Sequence, residues 1–215
     1  MKRIALFVHQ PKCSVQSANG IIEALGSNYK FKIFTRHELE RDFFDDVDCV
    51  CFPGGFGDSE SWHYLMDEHK NIIRKFVKDG GKYLGICMGA YWADNNYFNL
   101  LDNIEAEQYI TRPNTDTRRP HAKNLKVSWQ GQEEFMYFYD GCALTGSGLK
   151  YSKIISTYGN GDAMAIIQQN VGIIGCHPES QSHWYESYSW MQGKYHNGRH
   201  HNLLLDFVNE LFGQQ

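Results

Sequence analysis

One cysteine in this sequence has the neighbours that a catalytic nucleophile requires. Cys87 lies in the stretch Gly85-Ile86-Cys87-Met88-Gly89, where an apolar strand is predicted to turn sharply into a helix. A nucleophile elbow needs small residues two positions before and after the nucleophile, and Gly85 and Gly89 supply both. The predicted helix start would also favour the thiolate over the thiol. The alternative is that Cys87 is only a small buried residue at the end of a strand.

A cysteine nucleophile also needs a base for its proton and a third group that orients the base. His177 and Glu179 follow the last predicted strand, as Cys87 follows an earlier one. The carboxyl ends of neighbouring parallel strands meet at one crevice, so these side chains are expected to lie together. His177 would face Cys87 while Glu179 orients the ring, because side chains two apart in an extended segment point the same way. The alternative for His177 is a structural histidine that is bonded to a backbone carbonyl.

A glycine-rich segment, Gly54-Gly55-Phe56-Gly57, follows a third predicted strand and would let a ligand approach the backbone closely. An oxyanion hole would combine the Met88 N–H with the N–H of Gly55 or Phe56. Taken alone, the glycine-rich segment is typical of an ordinary turn.

The elements that must position these groups alternate between strand and helix in the first half of the chain. Strands are predicted over 3–8, 29–34 and 47–52, and helices over 15–25 and 62–77. The nearly continuous apolar run at 47–52 is typical of a parallel strand that helices cover on both faces.

The second half follows a different pattern. A polar excursion over 95–124 precedes a series of strands that are separated by turn residues, as in hairpins. These strands are predicted over 125–129, 134–139, 152–158, 163–168 and 171–176, and a closing helix over 201–212. The whole pattern predicts one flavodoxin-like, three-layer α/β domain over residues 1–215, with a mostly parallel central sheet that antiparallel strands extend.

Composition narrows the classes of partner. The formal net charge of −4 provides no broad basic field, so neither nucleic acid nor an anionic membrane surface is an expected partner. No apolar run approaches the roughly 20 residues that cross a bilayer. Six cysteines, several of them in apolar strands, suit a reducing cytoplasm. A small molecule is the expected substrate and no cofactor is implied, while a partner protein and the oligomeric state stay open.

Three further groups of residues could bind ligands. The polar excursion contains three arginines, Arg112, Arg118 and Arg119. They would favour an anionic ligand group if they border the crevice. The alternative is that they belong to a solvated surface loop. The aromatic stretch over 184–195 would either form a lid or pack on the core. A less favoured hypothesis is a metal site that uses His196, His200 and His201.

Three of these segments, in this order, resemble the signatures of the class I glutamine amidotransferase superfamily: Pro53-Gly54-Gly55, Gly85-Ile86-Cys87-Met88-Gly89 and His177-Pro178-Glu179. Within it, residues 80–91 and the Phe138-Tyr139-Asp140-Gly141 segment resemble the family of the biotin-protein ligase N-terminal domain, and the likeness covers most of the chain. The resemblance implies a triad of nucleophile Cys87, base His177 and orienting Glu179. The residues expected to contact substrate are Gly54, Phe56, Ala90, Tyr139, Asp140 and Arg112.

Two departures from the family pattern bear on activity. Ala90 stands where glutamine-hydrolysing members usually carry a glutamine, which argues against glutamine as the substrate. The glycine-arginine-rich adenylate loop of a biotin ligase and a synthetase domain that receives ammonia are both missing, so this chain is not expected to biotinylate anything by itself. The expected function is cysteine-dependent hydrolysis or transfer at an amide or acyl carbon. The alternative is a non-catalytic binding or regulatory module with the same fold.

Overall fold

Five parallel strands form one half of the central sheet, in the spatial order β2-β1-β3-β4-β11. They are β1 (Arg3–Phe7), β2 (Lys30–Phe34), β3 (Cys49–Phe52), β4 (Lys82–Ile86) and β11 (Val171–Ile174). Ile86 of β4 is in register with Ile174 of β11, so the two strands end level with each other. The segments that carry Cys87 and His177 therefore leave the sheet at the same edge.

Antiparallel strands continue the sheet beyond β11, which confirms the predicted extension. The order runs on through β10 (Ala163–Gln168), β9 (Lys153–Tyr158), β6 (Lys123–Trp129) and β7 (Gln132–Phe138). Two short strands that the sequence did not predict, β5 (Glu105–Gln108) and β8 (Cys142–Thr145), pair with each other, and β8 also pairs with β10. The polar excursion is thus partly sheet.

Helices cover both faces of the sheet. The first face carries α1 (Val15–Leu25) and α6 (Arg199–Leu211), and the second carries α2 (Ser59–Leu65), α3 (Lys70–Lys78) and the short α4 (Met88–Trp92). Alternate residues of β1 enter the two cores, Ile4 and Leu6 on the first face and Ala5 and Phe7 on the second. This alternation explains why the strand is apolar throughout.

The long helix predicted over 62–77 is in fact two helices, which is a correction to the sequence prediction. The α-helical conformation ends at Met66, where φ is −130°, and a single 3-10 turn at Asp67–His69 leads into α3. The break lets the apolar side chains of both segments, Trp62 and Leu65 on one side and Ile73 and Val77 on the other, enter the same core.

The computed structural model describes residues 1–9, 15–40, 42–55 and 58–213. Within these ranges, no helix is both long enough and apolar enough to cross a membrane.

Candidate active site

Cys87 occupies a strained turn between β4 and α4. Its backbone has φ 50° and ψ −100°, a left-handed conformation that costs a non-glycine residue about 1–3 kcal/mol. The Cys87 N–H donates a 2.9 Å hydrogen bond to the Ile174 carbonyl and so fixes the turn to β11. The side chain keeps a small exposed fraction of 6% at the sheet edge. This is the conformation of a nucleophile elbow.

The two glycines that flank Cys87 are required for space. A Cβ atom on Gly89 would lie 2.0 Å from the Phe52 carbonyl oxygen, and one on Gly85 would lie 2.4 Å from the Gly89 carbonyl oxygen. The turn and the start of α4 therefore pack against β3 and β4 by direct backbone contact.

His177 and Glu179 form a buried pair beside the elbow. His177 Nδ1 lies 2.8 Å from Glu179 Oε1, and the glutamate side chain has no exposed surface. Burial by itself would lower the pKa of His177, but the Glu179 carboxylate and a hydrogen bond with the Cys87 thiol outweigh it and raise that pKa to about 10. The buried carboxylate next to Nδ1 thus favours the protonated form of the imidazole.

Ser17 of α1 completes this arrangement, and the sequence analysis missed it. Its hydroxyl donates to Glu179 Oε1 at 2.6 Å and accepts a 2.9 Å hydrogen bond from the Gly54 N–H. One buried hydroxyl thus joins the orienting carboxylate to the glycine-rich segment. The available signal was a small polar residue on the apolar face of α1, one turn before Ile21.

Cys87 and His177 open into one cleft of about 890 Å³. Of the predicted site residues, those that also line it are Gly54, Gly55, Met88, Tyr139 and Asp140. Much of the remaining wall is aromatic. Tyr91, Tyr97 and Tyr137 were not predicted there, whereas Trp184 and Tyr188 come from the aromatic stretch over 184–195. The cleft is large enough for a small-molecule substrate next to the thiol.

Comparison with known proteins identifies the fold. The family model described as biotin-protein ligase, N terminal, matches residues 10–108. A glutamine amidotransferase from Thermotoga maritima superposes with a TM-score of 0.67 at 12% identity, over 98% of this chain and 97% of its own. This chain has the class I glutamine amidotransferase fold.

Two more solved structures show the range of proteins that contain the amidotransferase fold. PurLQS from Thermotoga maritima superposes with a TM-score of 0.60 at 15% identity, over 98% of this chain and 99% of that one. The exo-beta-1,4-mannosidase Op5Man5 from Opitutaceae bacterium strain TAV5 matches with a TM-score of 0.56 at 10% identity, over 94% of this chain but only 35% of its own. Among curated proteins, no sequence matches this chain.

Three of the residues expected to contact substrate are placed differently from the rest. In this amidotransferase fold Ala90 is fully buried in the core beneath the elbow and does not line the cleft. Arg112 is also absent from the cleft wall, because its guanidinium is held by Glu107 at 3.0 Å and Asp162 at 2.9 Å. Phe56 lies outside the described residues, which leaves Gly55 and Met88 as the described candidates for the oxyanion hole.

The three histidines that suggested a metal site have other partners. His196 Nε2 and His201 Nε2 lie 2.9 and 3.1 Å from the Ser180 carbonyl oxygen, and His200 Nε2 lies 3.3 Å from a Glu134 oxygen. Among the described residues, no cluster of histidine, cysteine or carboxylate ligands could hold a metal ion. His201 thereby connects the start of α6 to the segment that follows β11, and His200 connects it to β7.

The aromatic stretch over 184–195 belongs partly to the core and partly to the cleft. Its first residues lie in α5 (Ser182–Glu186), where Trp184 and Tyr185 pack against Tyr137 and Met191. The Trp184 ring also lies 5.6 Å from the His177 ring, centroid to centroid, and lines the cleft. The first part of this stretch therefore forms a wall of the cleft beside His177.

Proposed function

We propose that this protein is a cysteine-dependent hydrolase or transferase that acts at an amide or acyl carbon through Cys87, His177 and Glu179. The observation that carries the proposal is one continuous arrangement of groups. A cysteine in a strained elbow shares a cleft with the His177 imidazole, and Nδ1 of that ring lies 2.8 Å from a fully buried carboxylate. The amidotransferase fold supports the proposal by analogy only.

The proposed reaction has two stages. The Cys87 sulfur attacks the carbonyl carbon, and the N–H groups of Gly55 and Met88 stabilise the negative oxygen of the tetrahedral intermediate. His177 gives its proton to the leaving amine, the C–N bond breaks, and the acyl group stays on Cys87 as a thioester. Water then attacks the thioester carbon, and His177 takes the proton that this water loses. The C–S bond breaks, the acyl group leaves as a carboxylic acid, and Cys87 is released as the thiolate beside the protonated His177.

Glutamine is not the substrate that the site favours. Position 90 presents no side chain to the cleft, because Ala90 is fully buried. We therefore infer another small amide. The five described cysteines are all free thiols, which supports the reducing cytoplasm as the location of the protein.

The second candidate is a non-catalytic binding or regulatory module. Cys87 Sγ lies 3.6 Å from the Tyr139 carbonyl oxygen, which can accept the thiol hydrogen and so compete with His177 for it. The match of this fold to part of a longer mannosidase chain also shows that the fold can be one section of a larger protein. A module would keep the cleft and bind ligand without acylating Cys87.

Thiol reactivity separates the two candidates without a guessed substrate. Under limiting iodoacetamide near neutral pH, we expect mass spectrometry to find Cys87 alkylated before Cys49, Cys51, Cys142 and Cys176, which are fully buried thiols whose pKa values are raised by burial.

Exposure alone would also make Cys87 react first, so the decisive comparison uses variants. His177→Ala should slow alkylation of Cys87 about 100-fold or more, and Glu179→Gln should slow it less, since glutamate acts through the base. His121→Ala is the matched control, because His121 is exposed and does not line the cleft. Equal alkylation rates in the His177 and His121 variants would favour the module. If Cys87 depends on His177, a screen of small amides for release of amine comes next.

A further inference from the structure

The charge on the walls of the cleft has one dominant sign. Asp58 and Asp140 line it, and of the described lining residues none is lysine or arginine, which leaves the His177 imidazole as the basic group. That imidazole is already balanced by Glu179. Beyond this pair, the described residues of the cleft wall therefore carry net negative charge.

Asp140 is the carboxylate best placed to meet a substrate. It directly follows Tyr139, whose carbonyl oxygen is 3.6 Å from Cys87 Sγ. The Asp140 carboxylate accepts from the neutral amide of Gln108, whose Nε2 lies 3.0 and 3.2 Å from its two oxygens. Among the described residues, no cationic side chain forms an ion pair with it. Burial raises the pKa of Asp140, as expected for a carboxylate that lacks a compensating cation.

The basic segment that was expected to favour an anion directs its charges elsewhere. Arg112 is paired with Glu107 and Asp162, and Arg118 donates to the carbonyl oxygens of Ile110 and Arg112. Pro120 is the residue of this segment that lines the cleft. Among the described residues, no lysine or arginine of this segment lines the cleft, so the segment gives no reason to expect an anionic ligand.

Aromatic side chains supply the second recognition feature. Tyr137 and Trp184 meet at 5.3 Å with their rings 73° apart, and both line the cleft together with Tyr91 and Tyr188. Trp184 is more than nine-tenths buried, and its Nε1 has no hydrogen-bond partner among the described residues. Aromatic faces attract cations, most strongly where water is excluded.

We propose that the substrate carries a positively charged ammonium or guanidinium group, which binds Asp140 and the aromatic wall while the acyl carbon lies at Cys87. This inference rests on the proposed hydrolase or transferase function and adds the class of substrate. An ion pair with Asp140 would supply the cation that this carboxylate lacks, and the tyrosine and tryptophan rings would cover the alkyl part of the group.

A pair of charged thiol reagents tests the field directly. Methanethiosulfonates with a trimethylammonium-ethyl or a sulfonatoethyl group form a disulfide with Cys87 and release methanesulfinate, so they need no substrate and no triad chemistry. The ratio of cationic to anionic rate is measured at low salt and normalised to a small free thiol. We expect Asp140→Asn to lower this ratio about five-fold. Asp79→Asn removes the same charge from an exposed position and should leave the ratio unchanged.

Ligand protection gives a second readout on the unmodified protein. Benzyltrimethylammonium should slow alkylation of Cys87 at concentrations where benzoate and benzyl alcohol do not, and Asp140→Asn should remove that difference. Protection by benzoate equal to that by the cation overturns the proposal, and so does a reagent ratio that Asp140→Asn does not change. Neither outcome depends on whether His177 activates the thiol, so failure of this inference is distinguishable from failure of the hydrolase proposal.

Discussion

His177 on one side and His196 and His200 on the other have pKa values shifted in opposite directions, although His177 and His200 both contact a glutamate. The pKa of His177 is raised to about 10, whereas burial and the neighbouring His200 lower the pKa of His196 to about 3, and burial also lowers the pKa of His200. The two groups meet at Ser180, which follows Glu179 and accepts hydrogen bonds from His196 and His201.

The difference arises from how each carboxylate is shared. Glu179 bonds to His177 and to the neutral hydroxyl of Ser17. Glu134 faces His200, but both of its oxygens also accept from the Arg199 guanidinium, which already balances its charge. The pKa of a histidine is thus raised where the contacting carboxylate has no other cationic partner, and lowered where an arginine already pairs with that carboxylate.

The largest expected effect follows from removing the carboxylate that His177 has to itself. In Glu179→Gln, the largest interaction that opposes burial is removed, so the pKa of His177 should fall well below about 10. NMR titration of the ring proton on Cε1 measures this change. Glu134→Gln is the control and should leave His177 where it is. An unchanged His177 titration in Glu179→Gln would mean that the two groups do not differ in the way described.

Acid should destabilise the protein through protonation of His196 and His200. His196 and His200 have folded-state pKa values below the unfolded value of about 6.5, so their contribution is complete above that pH and is lost as the pH falls toward 3. His177 has the opposite sign, with stability lost as the pH rises from about 6.5 toward 10.

Between pH 7 and pH 5 we expect the free energy of unfolding to fall by about 1–2 kcal/mol, after allowance for partial exposure. Urea denaturation across this range measures it. His196→Gln should flatten the pH dependence, and a slope that persists in the double variant with His200→Gln would assign the effect to other groups.

Arg199→Gln should raise the pKa of His200, so that His200 becomes more like His177. Without the guanidinium, Glu134 would have His200 as its partner, and the pKa of His200 should rise. The same NMR titration reports it, and Lys194→Gln serves as a control for loss of one positive charge nearby. A fall in the pKa of His200 would contradict the argument from shared carboxylates.

The smallest expected effect belongs to Ser17. Ser17→Ala removes one hydrogen bond from Glu179 and one from the Gly54 N–H, which should cost about 1–2 kcal/mol of stability and slow alkylation of Cys87 a few-fold. Ser61→Ala is a suitable control, because Ser61 is as deeply buried as Ser17 but its hydroxyl has no hydrogen-bond partner among the described residues. An alkylation rate that stays at the unmodified level in Ser17→Ala would limit this residue to a structural role.

The positions of Cys87, His177 and Glu179 could be predicted from the sequence, because small residues mark a sharp turn and neighbouring parallel strands end at one edge of the sheet. Gly85 and Gly89 mark the turn from within four residues, and Cys87 and His177 meet because parallel strands β4 and β11 end in register. Ser17 could not be assigned in this way, since its partner Glu179 lies 162 positions away and is reached only once α1 packs on the sheet. The strands β5 and β8 were missed because each is four residues long and because they pair across an intervening segment that contains β6 and β7.

The charge that lines the cleft also could not be predicted from the sequence. The basic residues between Arg112 and Lys123 suggested an anion site, yet which carboxylates and carbonyls hold them is decided by tertiary contacts. Counting charges along a segment gives its composition but not the direction in which its side chains point.

The Ser180 carbonyl also has a consequence for how the molecule opens locally. His196 donates Nε2–H to this carbonyl, while its Nδ1 accepts the His200 N–H at 3.3 Å in the first turn of α6. A proton on Nδ1 would remove that acceptor and place a positive charge at the helix start, where charge of this sign is unfavourable. In mild acid the amides at 199–202 should therefore exchange with deuterium before those of β4 and β11, so that α6 frays from the end that adjoins the triad.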